Sequence, residues 1–451
     1  MTVSILNQIE SDFTLSEEKI RDVTQDIIED LEDGLTNEEP GYIGQIPSYV
    51  TALPTGKEVG TYLAIDLGGT NLRTAAVTLL GDGEVGVNMR KYSIPDSIRV
   101  GTANKLFDWI ADCTAELLED TTISTGAANM HMGVTFSFAL NQTAINHGIV
   151  MKMGKGFDLE GVIGNDLKDM LEDGFKRKNL NIDIAAIIND TVGTLVSSAY
   201  VSPSTRVGLI LATGTNAAYV ESGAKLAKYP GLNADQMILN TEYSVFGKRL
   251  PFTKYDRELD AVTTIPGFQR LEKMTSGMYM GEITRRILVD CINEGALFGG
   301  KMPENLEKPY EFKTLFMSTI EADQSESLEG VSAIFEKHFP TVEPVSVEER
   351  KAIHKICKLV ASRSASIIGA AIGALLLQAN GSTIDLDKEA TTVGIDGSVY
   401  EFYPYFSHRI RRAMEISLGK ERSDRIKLEL ARDGGCVGAA LIAMVASTKQ
   451  K

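Results

Sequence analysis

The chain has 451 residues, enough for two or three domains with an ample core. Its 61 acidic against 45 basic residues give a net charge of −16, which disfavours nucleic acid or an anionic membrane surface as a partner. Cys113, Cys291, Cys357 and Cys436 lack metal or disulfide spacing, no secretory signal opens the chain, and the longest apolar run, Ile367 to Leu377, is too short to span a bilayer, so a soluble cytoplasmic protein is expected.

Thr14-Leu15-Ser16-Glu17 has the spacing of a capping box, and Ile20, Val23, Ile27 and Leu31 follow at helical intervals until Gly34. This predicts an amphipathic helix packed on the body of the protein. Glu38-Glu39-Pro40-Gly41 breaks the pattern, and residues 62–99 read as consecutive strands with a turn at Gly81-Asp82-Gly83. A helix is predicted over 103–121. Ile184 to Ile188 is β-type and Thr191 to Tyr200 helical. A second β-rich start follows at Val207 to Val220, then helices near 269–294 and 347–379, a strand–turn–strand over 391–402 and an apolar helix from Val437 to Val445. Gly369 and Gly373 imply close helix packing inside a core.

The stretch Asp66-Leu67-Gly68-Gly69-Thr70-Asn71 joins two β-type runs through a glycine turn. Adjacent glycines let the backbone approach a ligand and can supply positive φ, and clustered amides make an anion-binding concavity. Asp66 would repel a phosphate directly, so a Mg²⁺ with its waters is expected between them. An ordinary hairpin remains the alternative. The turn leads into a strand, and neither the Rossmann nor the Walker fingerprint occurs. Ala212-Thr213-Gly214-Thr215-Asn216 restarts the pattern in the second half, which fits two phosphate clamps facing each other in a duplicated α/β fold with a cleft. Asp190 follows a β-type run, where ligands of open α/β sheets sit; it reads as a general base or as a helix N-cap.

Residues 133–157, 187–194, 208–216, 276–282 and 393–400 together resemble the hexokinase family in motif and order, from about Leu15 to Ala446. Thr253-Lys254-Tyr255-Asp256 and Tyr400-Glu401-Phe402-Tyr403-Pro404 look closest to its fungal glucokinase-like branch. The resemblance implies the two-lobed actin-like ATPase fold, ribonuclease H-like, with a central cleft. Residues 62–194 plus 436–451 would form the small lobe and 1–61 plus 195–435 the large one, hinged near Thr194 and near Gly434-Gly435. It further implies an ATP- and Mg²⁺-dependent hexose 6-kinase in which Asp190 is the base that activates the sugar 6-hydroxyl. By motif match, Ser137, Lys155, Asn189, Asp190, Asn216, Glu242 and Glu272 would bind the sugar. Asp66, Leu67, Gly68, Gly69, Thr70, Asn71, Arg73, Thr213, Gly214, Thr215, Gly397, Ser398, Gly434 and Gly435 would bind the nucleotide. Asp396 and Asp433 belong to the same adenosine-side motifs. Mg²⁺ would be held by phosphates and water, with Asp66 and Asp190 in the outer shell, and oligomeric state stays open.

Six positions depart from the family pattern, among them Gly435, where the usual motif carries a serine hydroxyl. Gly154 stands where threonine usually offers a hydroxyl to the sugar, and Ala139 where proline is usual. Tyr243 stands for tryptophan, and Ala212 for the first glycine of the second clamp. Cys436 occupies a usual glycine position and would cost about 1 kcal/mol or more if that glycine is left-handed. The open sugar loop, Met153 to Phe157, is similar to fungal N-acetylglucosamine kinases and atypical hexokinases, which leaves that substrate, or a non-enzymatic sugar sensor, as alternatives to glucose phosphorylation.

Overall fold

The computed structural model describes residues 2–119, 130–154, 156–232 and 234–449. Lys155, the end of the 103–121 helix and residues 450–451 therefore lie outside the described residues.

The β-type runs on either side of the Gly68-Gly69 turn pair as an antiparallel hairpin, Val59–Leu67 with Asn71–Gly81, extended by Glu84–Ser93. Met130–Phe136 and Ile182–Ile188 then add in parallel on the other side, giving a five-stranded sheet. The second sheet repeats this plan. Thr205–Leu211 and Thr215–Ser222 make the hairpin, Gln236–Asn240 extends it, and Thr391–Asp396 and Ile426–Leu430 add in parallel. Ile46–Pro47 closes its far edge as a sixth strand. The duplication inferred from the two clamp motifs is thus a duplication of whole sheet topology.

A helix follows the last parallel strand of each sheet and crosses to the other. Asp190–Val201 leaves the first sheet and packs against Thr205–Leu211 of the second. Gly434–Lys449 leaves the second and packs against Met130–Phe136 and Val59–Leu67 of the first. The two helices cross at glycines: a Cβ on Gly438 would lie 2.3 Å from Gly193 O. Side chains from both helices and both sheets, among them Val77, Val192, Leu195, Val220 and Leu441, make a shared core at this crossing. Separate cores fill each lobe.

Glu17–Thr36 buries Ile20, Val23, Ile27 and Leu31, the face its periodicity predicts. Its cap differs from expectation: Ser16 Oγ, not Thr14, accepts from the Lys19 amide at 3.1 Å. A further helix, Thr2–Phe13, precedes it. The predicted helix over 269–294 is interrupted at Ser276. The second half of the predicted strand–turn–strand is a short helix, Ser398–Phe402, because Gly397 turns the chain at φ 132° directly over Leu211. Val347–Ala379 is a single 33-residue helix, long and apolar enough to cross a membrane, which corrects the expectation drawn from its shorter apolar run. It lies buried between Glu17–Thr36 and Phe406–Leu418, and a Cβ on Gly369 would lie 2.6 Å from both Ala413 Cβ and Ile410 O.

Candidate active site

A cleft of about 480 Å³ opens between the sheets at the ends of their parallel strands. From the first half it is lined by Asp66, Gly68, Gly69, Thr70, Asn71, Arg73, Ser137 and Asp190. From the second half come Ala212, Asp396, Gly397, Ser398, Asp433, Gly435 and Cys436. Residues scattered over nearly the whole sequence therefore converge on one space.

The first clamp is a tight hairpin turn closed by Gly68 N donating to Asn71 O at 3.0 Å. Its flanks are tied down as well: Ser137 N donates to Leu67 O at 3.2 Å and Ile94 N to Thr70 O at 2.9 Å. Gly68 is not left-handed, and a Cβ there would find only Asn71 O at 3.6 Å. Its use is the bare backbone it presents to the cleft rather than a turn only glycine can make. Leu67 is a core residue, so only its backbone belongs to the turn. Asp66, at the strand's end, is ion-paired with Arg73 across the hairpin.

Asp190 stands on the same sheet's last strand end, at the first position of helix Asp190–Val201. The capping task falls to Asn189, whose Oδ1 accepts from the Thr191 amide at 2.9 Å and the Thr191 hydroxyl at 2.6 Å. Asp190 is thereby spared that role, and its side chain lines the cleft. Thr194, one turn on, donates to Asp190 O at 2.9 Å and fixes the helix start.

The second clamp is held from behind. Gly277 N donates to Ala212 O at 2.8 Å and Met278 N to Thr213 O at 3.1 Å. These bonds explain the helix break at Ser276: the amides that start Gly277–Asn293 serve the clamp. Thr215 turns inward, its amide donating to Glu272 Oε2 at 3.0 Å and its hydroxyl paired with Tyr243 Oη at 2.5 Å. Thr213 and Gly214 remain the accessible part of this turn.

Two of the predicted sugar ligands form one polar cluster beside it. Asn216 Nδ2 donates to Glu242 Oε1 at 3.0 Å, and Asn240 Nδ2 donates to the same oxygen at 2.8 Å. Burial pushes the Glu242 carboxyl up, opposed by these two amides. Asn240 was missed from the sequence, although its place two residues before Glu242, on the strand beside Thr215–Ser222, gives it the same partners. Ser137 and Asp190 face the cleft from the first lobe.

The adenosine-side motifs complete the wall. Thr135 Oγ1 donates to Gly435 O at 2.8 Å, linking the start of Gly434–Lys449 to the first sheet. Cys436 is helical and 1% exposed, and the left-handed residue is Asp433, at φ 52°. The cost foreseen for a side chain at 436 therefore does not arise. Burial, with Asp433 nearby and Arg73 opposing, raises the Asp396 carboxyl to about 6. A glycine turn, the Asp190 carboxylate, Ala212 of the second turn and a crowded acidic end share one cleft, a set of groups suited to phosphoryl transfer.

Hexokinase family models match residues 5–200 and 206–445. The chain is 38% identical over 445 residues to hexokinase-1 of Schizosaccharomyces pombe, covering 97% of this chain and 90% of that protein. It is 36% identical over 451 residues to the hexokinase of Kluyveromyces lactis, covering 97% and 91%. A hexokinase from Schistosoma mansoni, solved in complex with glucose, matches with a TM-score of 0.85 at 33% identity, over 99% of this chain and 100% of that one. These relatives carry the name hexokinase, so the likeness supports the family and does not single out a glucokinase-like branch. Both halves of the sequence, the duplicated sheets and the cleft between them place this chain in the hexokinase family.

Proposed function

We propose that this chain is an ATP-dependent hexose 6-kinase, with Asp190 as the base and glucose as the principal acceptor. The observation that carries this reading is that Asn189 caps the helix while Asp190 faces the same cleft as the first phosphate clamp and Ala212 of the second. A sugar hydroxyl brought to Asp190 would give its proton to that carboxylate as its oxygen bonds to phosphorus. Glu242, Asn216, Glu272 and Ser137, with Lys155 from the sugar loop, would bind the other hydroxyls, so a misfitting sugar would leave buried groups unpaired. The crowding of Asp66, Asp396 and Asp433 at one end fits a divalent cation arriving with the nucleotide. Mg²⁺ would be held by phosphates and water, with Asp66 and Asp190 in its outer shell. On this reading 62–194 plus 436–451 move as the small lobe against 1–61 plus 195–435. Closure of the two expels water that would otherwise compete as acceptor. The acidic net charge supports neither a nucleic-acid nor a membrane role, and the four buried, unbridged cysteines suit the cytoplasm.

Asp190→Ala tests the assignment. Turnover should fall by about 10²-fold or more while calorimetry still detects glucose binding. Turnover close to that of the unaltered protein would exclude Asp190 as the base.

A second reading, N-acetylglucosamine as acceptor, is favoured by one observation: a Cβ at Gly154 would meet nothing within 4 Å. A side chain could therefore start at this position into open space. If the open loop only weakens glucose, Gly154→Thr should raise kcat/KM for glucose by about tenfold, the worth of one hydrogen bond. Loss of N-acetylglucosamine turnover with glucose unchanged would instead assign the space to the acetamido group.

A further inference from the structure

Arg99 closes a short helix, Asp96–Arg99, and is followed directly by the strand Val100–Thr102. That strand pairs in parallel with Asp158–Glu160, the segment leaving the sugar loop, in the register Val100 to Asp158. Arg99 is thus delivered beside Phe157 by backbone pairing. Its guanidinium lies over the Phe157 ring at 5.2 Å from the centroid. Phe157 in turn meets Phe138 edge-on at 5.3 Å, next to Ser137. The other end of the guanidinium turns to the first phosphate clamp, where Nη1 donates to Gly69 O at 2.6 Å. Its side chain is only 16% exposed, and the nearby Asp96, 3.6 Å away, is fully in solvent and offers a weak hold by comparison.

We infer that Arg99 is a positioning residue that fastens the sugar loop to the tip of the first phosphate clamp, so that sugar binding at one side orders nucleotide binding at the other. The inference rests on the hexose-kinase reading for which ligand belongs to which side. A planar guanidinium can cover an aromatic face and donate along its edge at once; an ammonium is a point charge and cannot do both in this geometry. A sugar that orders the loop around Phe157 restrains Arg99, and Arg99 restrains the carbonyl of Gly69. The clamp amides are then set before the phosphates arrive, and the nucleotide loses less freedom on binding.

The experiment measures the dissociation constant of a non-hydrolysable ATP analogue with Mg²⁺, in the absence and in the presence of saturating glucose. The unaltered protein should bind the analogue at least about fivefold more tightly with glucose. Arg99→Met should bring that ratio to below about twofold, with affinity in the absence of glucose little changed. Arg99→Lys should recover the melting temperature of the unaltered protein without recovering the ratio, which a merely structural arginine would not show. Phe157→Leu removes the other end of the link, should lower the ratio in the same way, and serves in place of Arg99→Met if that variant fails to fold. A ratio within twofold of the unaltered protein in Arg99→Met and Phe157→Leu would overturn the inference, as would an unaltered protein in which glucose leaves nucleotide affinity unchanged. Failure of the unaltered protein to turn over any hexose would count against the proposed function and not against this link, which is read from binding alone.

Discussion

Asp396 shows how the cleft strains individual residues. Its carboxyl is raised from 3.8 to about 6 because burial and Asp433 disfavour the charge more than Arg73 favours it. A carboxyl raised in the folded state takes up protons on folding, so its contribution to stability falls as pH rises through this interval. Asp396→Asn should therefore melt at a higher temperature than the unaltered protein at about pH 7, and the gap should close as pH falls below about 4. A gap that is the same at both pH values would remove the electrostatic explanation. At this scale the sequence was informative where chemistry is local and opaque where it depends on partners. Asp66, Asp190 and the glycine turn were legible as residue types in a pattern. That Thr215 turns its amide to Glu272 and its hydroxyl to Ile210 O and Tyr243 depends on groups far apart in the chain, while the choice of Asn189 over its neighbour Asp190 as the cap is local and was left open by two adjacent residues that can both cap. Arg99 gave no signal at all, because nothing in a lone arginine after a proline turn announces an aromatic ring 58 positions later.

The two crossing helices are the elements that make one cleft out of two sheets. Each leaves its own sheet and seals the other, and glycines at 193 and 438 let their backbones meet. Gly438→Ala puts a methyl group 2.3 Å from Gly193 O, which neither helix can avoid without moving its own sheet. Such overpacking should cost about 1–3 kcal/mol and lower the denaturant midpoint. An unchanged midpoint would show that the crossing has slack. Elements were readable where periodicity is strong, as in Glu17–Thr36, and misread where tertiary contacts override it. Val399 to Phe402 has β-type residues, yet the turn forced at Gly397 starts a helix there. Ser276 divides one amphipathic pattern into two helices because the second clamp takes the amides that begin the next one.

On the scale of the molecule, the repeated sheet plan explains why the site is a cleft and not a pocket in one lobe. Equivalent hairpin turns from the two halves face each other, and the helices following the two sheets cross at its floor. The repeat was visible in the sequence only as two short motifs, since the strands between them share topology without sharing residues. The small shared core at the crossing joins the two sheets beneath the cleft and leaves the cleft open above it. Phosphoryl transfer from ATP to a hexose is the chemistry this cleft is proposed to serve. It is tested most directly by measuring ADP release from Mg-ATP with glucose, mannose, fructose, glucosamine or N-acetylglucosamine, beside Asp190→Ala. Glucose-dependent release that is lost in the variant is expected. Release that is independent of any sugar, or equal in Asp190→Ala, would contradict it.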